Sequence, residues 1–210
     1  MVPVIRQGRA DAADLIAHTI LLAQRGPRPL GWLDIALAQA EPQVLDFLAK
    51  LAVAKPRSWY HVTQFLIAEI DGKPAAALCA MPSRETRDTM RAAIEEVALA
   101  SGMSAAEIFT RGACARGCWV QGGHDDWLIE HLASQPAARG RGPVQALIAQ
   151  ALSAGKAAGF SHASITFVIG NDAAERCYAK AGFAFAEEKR DPAFEVLTGS
   201  PGFRRFARAI

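Results

Sequence analysis

A strand, a glycine-rich turn, a helix and a second strand follow one another between residues 126 and 169, and no other stretch restricts the fold as much. DWLIEHLAS (126–134) and HASITFVI (162–169) have strand character, and Pro143 to Ala158 carries helical apolar spacing. Two strands joined through a helix cannot close as a hairpin. They lie parallel, with a right-handed crossover. The surrounding signals are antiparallel. YHVTQFLIAEIDGKPAAALCAMP reads as two extended segments around the turn pair Asp71-Gly72, VPVIRQG is a first strand, and FAFAEEK and GFRRFARAI are the last two. This order predicts a mixed, mostly antiparallel sheet of the α/β (α+β) class.

Helices fill the remainder. ADAADLIAHTILLAQ places Leu15, Ile16, Thr19, Ile20 and Ala23 on one face, with Asp11 as the expected cap. WLDIALAQAEPQVLDFLAKLAVA is helical with an interruption expected at Pro42. Residues 83–124, including RETRDTMRAAIEEVALA and SAAEIF, read as a helical insertion between strands. DAAERCYAKA is a helix opened by Asn171 and stopped by Gly182, and DPAFEVLTGSPG reads as a loop.

A length of 210 residues suits one domain, 1–210, with a well-buried core. Lys+Arg 23 against Asp+Glu 21 is too even a balance for a protein built to grip a phosphate backbone, so no nucleic-acid partner is expected. The start has no signal-peptide zones and no apolar run reaches spanning length, so a cytoplasmic protein without a membrane partner is expected. Cys79, Cys114, Cys118 and Cys177 form no paired framework and read as reduced thiols. Cys114 and Cys118 with His124 and His131 match no zinc spacing, and no metal is expected.

SQPAARGRGPVQALIAQAL raises the chemical question. A helix start exposes amides with no partner inside the helix, and the helix dipole adds partial positive charge, so a glycine-lined start can hold an anion. Gly140 and Gly142 allow close backbone approach, while Arg139 and Arg141 add charge. A tight strand-to-helix turn is the plainer alternative.

Two separated motifs resemble those of the GNAT superfamily of acyl-coenzyme A-dependent N-acetyltransferases. The first runs from Arg139 through Gly140, Arg141, Gly142 and Pro143 to Val144, and differs from the family pattern at Val144, where the family has Gly or Ala. The second is NDAAERCYAKAGF, whose Asn171, Ala174, Tyr178 and Gly182-Phe183 match throughout. The resemblance implies a GNAT-like sheet with a central splayed parallel pair and helices on both faces. It implies acetyl-coenzyme A as co-substrate, with pyrophosphate at residues 139 to 144, and pantetheine beside Asn171, Ala174 and the backbone of Leu132, Ala133 and Ser134. Pro143 lacks an N–H and removes one donor.

By the same resemblance Tyr178 is the general acid that protonates the departing thiolate and also meets the cofactor; an aromatic packing beside Phe183 is the alternative. Glu130 is the candidate base. It alternates with Leu128 and Leu132 on one strand face, with His131 on the other, and desolvation would raise its pKa; pairing with an arginine is the alternative. The expected activity is acetyl transfer to an amine acceptor, a small molecule before a protein, by a chain for which a homodimer is left open. A non-catalytic acyl-coenzyme A sensor on the same fold is the other reading. The acceptor is not legible, and the insertion at 83–124 is expected to border its cleft.

Overall fold

A computed structural model describes residues 3–85 and 87–210, so Val2 and Thr86 of the stretches above lie outside the described residues. Seven strands form one sheet: β1 (Val4–Gln7), β2 (Phe65–Ile70), β3 (Lys73–Pro82), β4 (Trp127–Ser134), β5 (His162–Val168), β6 (Ala184–Arg190) and β7 (Gly202–Ala209). Their spatial order is β1-β2-β3-β4-β5-β7-β6, and the β4–β5 pair alone among them is parallel. Asp71 (φ 55°) and Gly72 (φ 70°) both take the left-handed conformation, which a tight two-residue hairpin turn requires.

Helices cover both faces. On one side α1 (Ala13–Arg25), α2 (Trp32–Leu37), α3 (Glu41–Ala52), α4 (Arg87–Ala100) and α5 (Ala105–Gly112) close over a core containing Ile16, Ile20, Leu48, Tyr60, Phe65 and Met81. On the other, α6 (Pro143–Ala157) and α7 (Asp172–Lys180) meet a second core with Ile129, Leu147, Ile148, Ile165, Phe167 and Tyr178. The spacing of Leu147, Ile148, Ala151 and Gly155 turns one stripe of α6 inward. Gly26 ends α1 at φ 57°, and Asn171 caps α7 by accepting the Ala174 amide at 3.2 Å.

Three expectations are corrected here and a fourth is refined. Asp11 caps nothing: it lies in the 3₁₀ turn Ala10–Ala12 and pairs with Arg6 at 3.5 Å, while α1 starts without a side-chain cap. The interruption expected at Pro42 falls just before it: α2 stops at Leu37, α3 restarts at Glu41, and Pro42 stands in the first turn of α3, where a missing N–H costs nothing. The stretch read as a loop contains α8 (Pro192–Thr198), capped by Asp191, whose side chain accepts the Ala193 amide at 2.8 Å. Finally, the strict alternation expected along β4 fails. Between the pairs Cys79↔Glu130 and Ala77↔Ala133, β4 holds one residue more than β3, and His131 has φ 45°. This bulge turns His131 to the same side as Glu130, against Tyr60 and Phe65, and leaves Leu132 packed with the opposite core.

The bulge also ends the β4–β5 ladder. Three pairs form, Trp127↔Ala163, Leu128↔Ser164 and Ile129↔Ile165, after which the strands diverge. Their closed end is held by α6 packing on Trp127. A Cβ at Gly155 would lie 2.6 Å from the Trp127 ring, so Gly155→Ala should destabilise the fold by about 1–3 kcal/mol despite the better helix propensity of alanine. Urea unfolding of the variant checks this; a stabilised variant contradicts the packing.

Candidate active site

The divergence of β4 and β5 opens a cavity of about 480 Å³. Leu132, Ala133 and Ser134 of β4 form one edge, Thr166 and Phe167 of β5 the other. The end of α1 and the starts of α6 and α7 close it, bringing Arg139, Val144, Asn171, Ala174 and Tyr178 into one lining. β4 remains paired with β3 as far as Ser134, but its other edge has no strand partner beyond Ile129. That edge presents free backbone groups of the kind an extended ligand arm can pair with.

At the head of α6, Gly140 (φ 76°) and Gly142 (φ 83°) are both left-handed, and Gly142 is the cap residue. The amides of Gly140, Gly142, Val144 and Gln145 have no hydrogen-bond partner among the described residues. A Cβ at either glycine would meet no atom within 4 Å, so conformation rather than crowding demands glycine, and the surface above the amides is open. Pro143 occupies the first helical position. Of the two arginines, Arg139 lines the cavity, whereas Arg141 pairs with Asp71 in the β2–β3 turn at 3.0 Å. The set of open amides plus one arginine suits an anion.

Tyr178 is 6% exposed and faces this cavity, its ring edge-on to Phe167 at 5.2 Å. Burial raises its phenol far above the ordinary range, with Cys177 and the Glu130 charge adding to the effect, so the hydroxyl holds its proton. Glu130 is 5% exposed and has no ion pair or hydrogen bond among the described residues; burial pushes its pKa up to about 8. The alternative, pairing with an arginine, is therefore not met among the described residues. Beside it, His131 is pushed down to about 3 by burial, and the Gln24 amide donates to its Nδ1 at 3.3 Å. Its Nε2–H is buried without a partner.

A neck of about 20 Å³, room for about one water, adjoins the cavity. It shares Ala23, His131, Thr166 and Phe167 with the cavity and is bounded on its far side by Glu130 and Trp119. Beyond lies an inner chamber of about 200 Å³ containing Glu130, and then an outer chamber of about 470 Å³. The two chambers share Trp59, Met90, Trp119 and Gln121 as walls. Residues of α4 and α5 line the outer one, so the insertion does border a cleft adjoining Glu130. Trp59 and Trp119 were not legible as site residues, because single tryptophans in irregular stretches carry no spacing signal.

Residues 111–183, which include the turn and the α7 motif, match the model of the acetyltransferase (GNAT) family. This segment is similar to the GNAT family, and the fold around it is GNAT-like. The likeness in fold extends over the whole chain. An acetyltransferase of known structure superposes with a TM-score of 0.71 at 18% identity, covering 99% of each chain. An N-acetyltransferase from Staphylococcus aureus Mu50 gives 0.68 at 20% identity, covering 98% of this chain and all, 100%, of that one. N-acetylglutamate synthase from Neisseria gonorrhoeae, complexed with coenzyme A and N-acetyl-glutamate, gives 0.51 at 15% identity, covering 100% of this chain and 35% of that one. No curated protein matches this chain in sequence.

The raised pKa of Glu130 has a thermodynamic signature. A carboxyl shifted from 4.5 in the open chain to about 8 when folded contributes stability in full below 4.5 and loses it as pH rises to 8. His131, shifted from 6.5 to about 3, acts in the opposite sense between those values. The two cancel between 4.5 and 6.5, leaving a net fall of about 1.4 kcal/mol per pH unit from 6.5 to 8. Glu130→Gln should remove that fall, with a higher Tm than the parent at pH 8.5 and an equal one at pH 4; thermal unfolding across pH checks it.

Proposed function

We propose that this chain transfers the acetyl group of acetyl-coenzyme A directly to the amine of an acceptor. The row of adjoining cavities carries the reading: an anion cradle and a free strand edge on one side of the neck, an unpaired buried carboxylate on the other. Proteins of the GNAT family use acetyl-coenzyme A, and the open amides of Gly140, Gly142 and Val144 with Arg139 suit its pyrophosphate. The β4 edge at Leu132, Ala133 and Ser134 suits its amide-bearing arm, beside Asn171 and Ala174.

Bound acetyl-coenzyme A supplies a thioester whose acyl carbon bonds to the amine nitrogen while its carbon–sulfur bond breaks. Glu130 takes the proton of the amine, which must be neutral to attack, and a pKa of about 8 suits a carboxylate for that exchange near neutral pH. Tyr178 Oη gives a proton to the leaving sulfur. The neck returns the proton from Glu130 to Tyr178, so the net change is amine plus thioester to amide plus thiol.

Two variants test the assignment. Gly142→Glu forces a side chain into φ 83° and sets a negative charge against the open amides. Coenzyme A affinity should fall by about a hundredfold, roughly 2.7 kcal/mol; a folded variant with unchanged affinity rules the cradle out. Tyr178→Phe should keep cofactor affinity and lower kcat and kcat/KM together by about 10²–10⁴-fold. A loss below about tenfold under chemistry-limited conditions means that water protonates the thiol. Coenzyme A release across an amine panel separates an enzyme from a sensor, which would be stabilised by the cofactor without turnover.

A further inference from the structure

The two chambers beyond the neck are polarised along their length. At the inner end stands Glu130, the sole acidic group among the described residues that line either chamber. At the outer end the charged lining residues are all cations: Arg91, Arg116 and Lys189. Arg91 is engaged with Glu95 at 3.5 Å and lies over the Phe109 ring at 4.3 Å, and Lys189 meets Glu187 at 3.5 Å. Arg116 is exposed and has no ion pair among the described residues. Between the two ends the walls are aromatic and apolar, with Trp32, Trp59, Trp119, Phe109, Ile94 and Ile108.

Resting on the acetyl-transfer reading, we infer that the acceptor is an amphiphilic amine: an amino group at one end, an apolar or aromatic body, and a carboxylate or similar anion at the other. The amine goes to the inner chamber beside Glu130, the body stacks among the tryptophans, and the anion meets Arg116 at the mouth. An outer volume of about 470 Å³ takes a body of one or two rings. The amine and the anion occupy different chambers, so they stand at opposite ends of the ligand. A dicationic amine is selected against, because its second charge would face Arg116.

The test uses para-(aminoethyl)benzoate, phenylethylamine and agmatine, each measured with the full chain in two ways: calorimetric binding to the protein alone, and coenzyme A release with acetyl-coenzyme A. The aminobenzoate should bind about tenfold more tightly than phenylethylamine, with agmatine the weakest. Arg116→Glu, a change at an exposed residue, should erase that preference, the aminobenzoate falling to the affinity of phenylethylamine or below; Lys189→Glu is a second variant of the same kind. Equal binding of the three amines, tightest binding of agmatine, or an unchanged preference in Arg116→Glu overturns the inference. Selective binding with no coenzyme A release from any amine would instead overturn the acetyl-transfer reading and leave the chamber assignment standing. Turnover of all three without preference would do the reverse.

Discussion

One extra residue in β4 governs this molecule. At His131 the strand enters the left-handed region with a side chain that disfavours it, a cost of about 1–3 kcal/mol. The surroundings hold it there: the imidazole stacks on Tyr60 at 5.3 Å and on Phe65 at 6.4 Å, and meets Trp59 edge-on at 6.0 Å. Past this point β4 can no longer follow β5, while β5 stays fully paired with β7 on its other side. The sheet therefore splits at its centre without losing either half. The cavity, the unpaired strand edge and the co-facing of Glu130 and His131 all descend from that break.

Placing two titratable side chains side by side in the same dry setting has an electrostatic logic. Burial disfavours charge on both, raising the acid and lowering the base, so that near neutrality the carboxyl sits close to its midpoint and the imidazole is uncharged. Tyr178, across the neck, keeps its proton for the same reason. The site thus holds an acid that does not ionise and a carboxyl that readily exchanges a proton, with no metal-ligand cluster of three or more groups among the described residues.

Much of the frame was legible because it depends on neighbours in sequence. The crossover follows from a helix between two strands, the Asp71-Gly72 hairpin from turn chemistry, and the α6 and α7 starts from glycine, proline and asparagine signals at fixed offsets. Glu130 was legible as a buried carboxyl, though through an alternation that β4 does not keep. What escaped depends on distant residues. The bulge is paid for by Tyr60 and Phe65, more than sixty positions away, and nothing in WLIEHLAS announces it. The chamber walls come from tryptophans at 32, 59 and 119, which meet only after folding. Arg141 looked free beside the turn until Asp71, seventy residues earlier, was brought to it.

The neck is also a partition. Because it admits little more than a water, the large cavity and the outer chamber share no wall residue, and only the side chains around Glu130 and His131 touch both halves of the row. Substitutions in α4, α5 and the turn around Arg116 can thus reshape one half while the glycine turn, the β4 edge and α7 go unchanged. A fold laid out this way can change its outer chamber without rebuilding the large cavity, and the segment 83–124 is where such a change disturbs least.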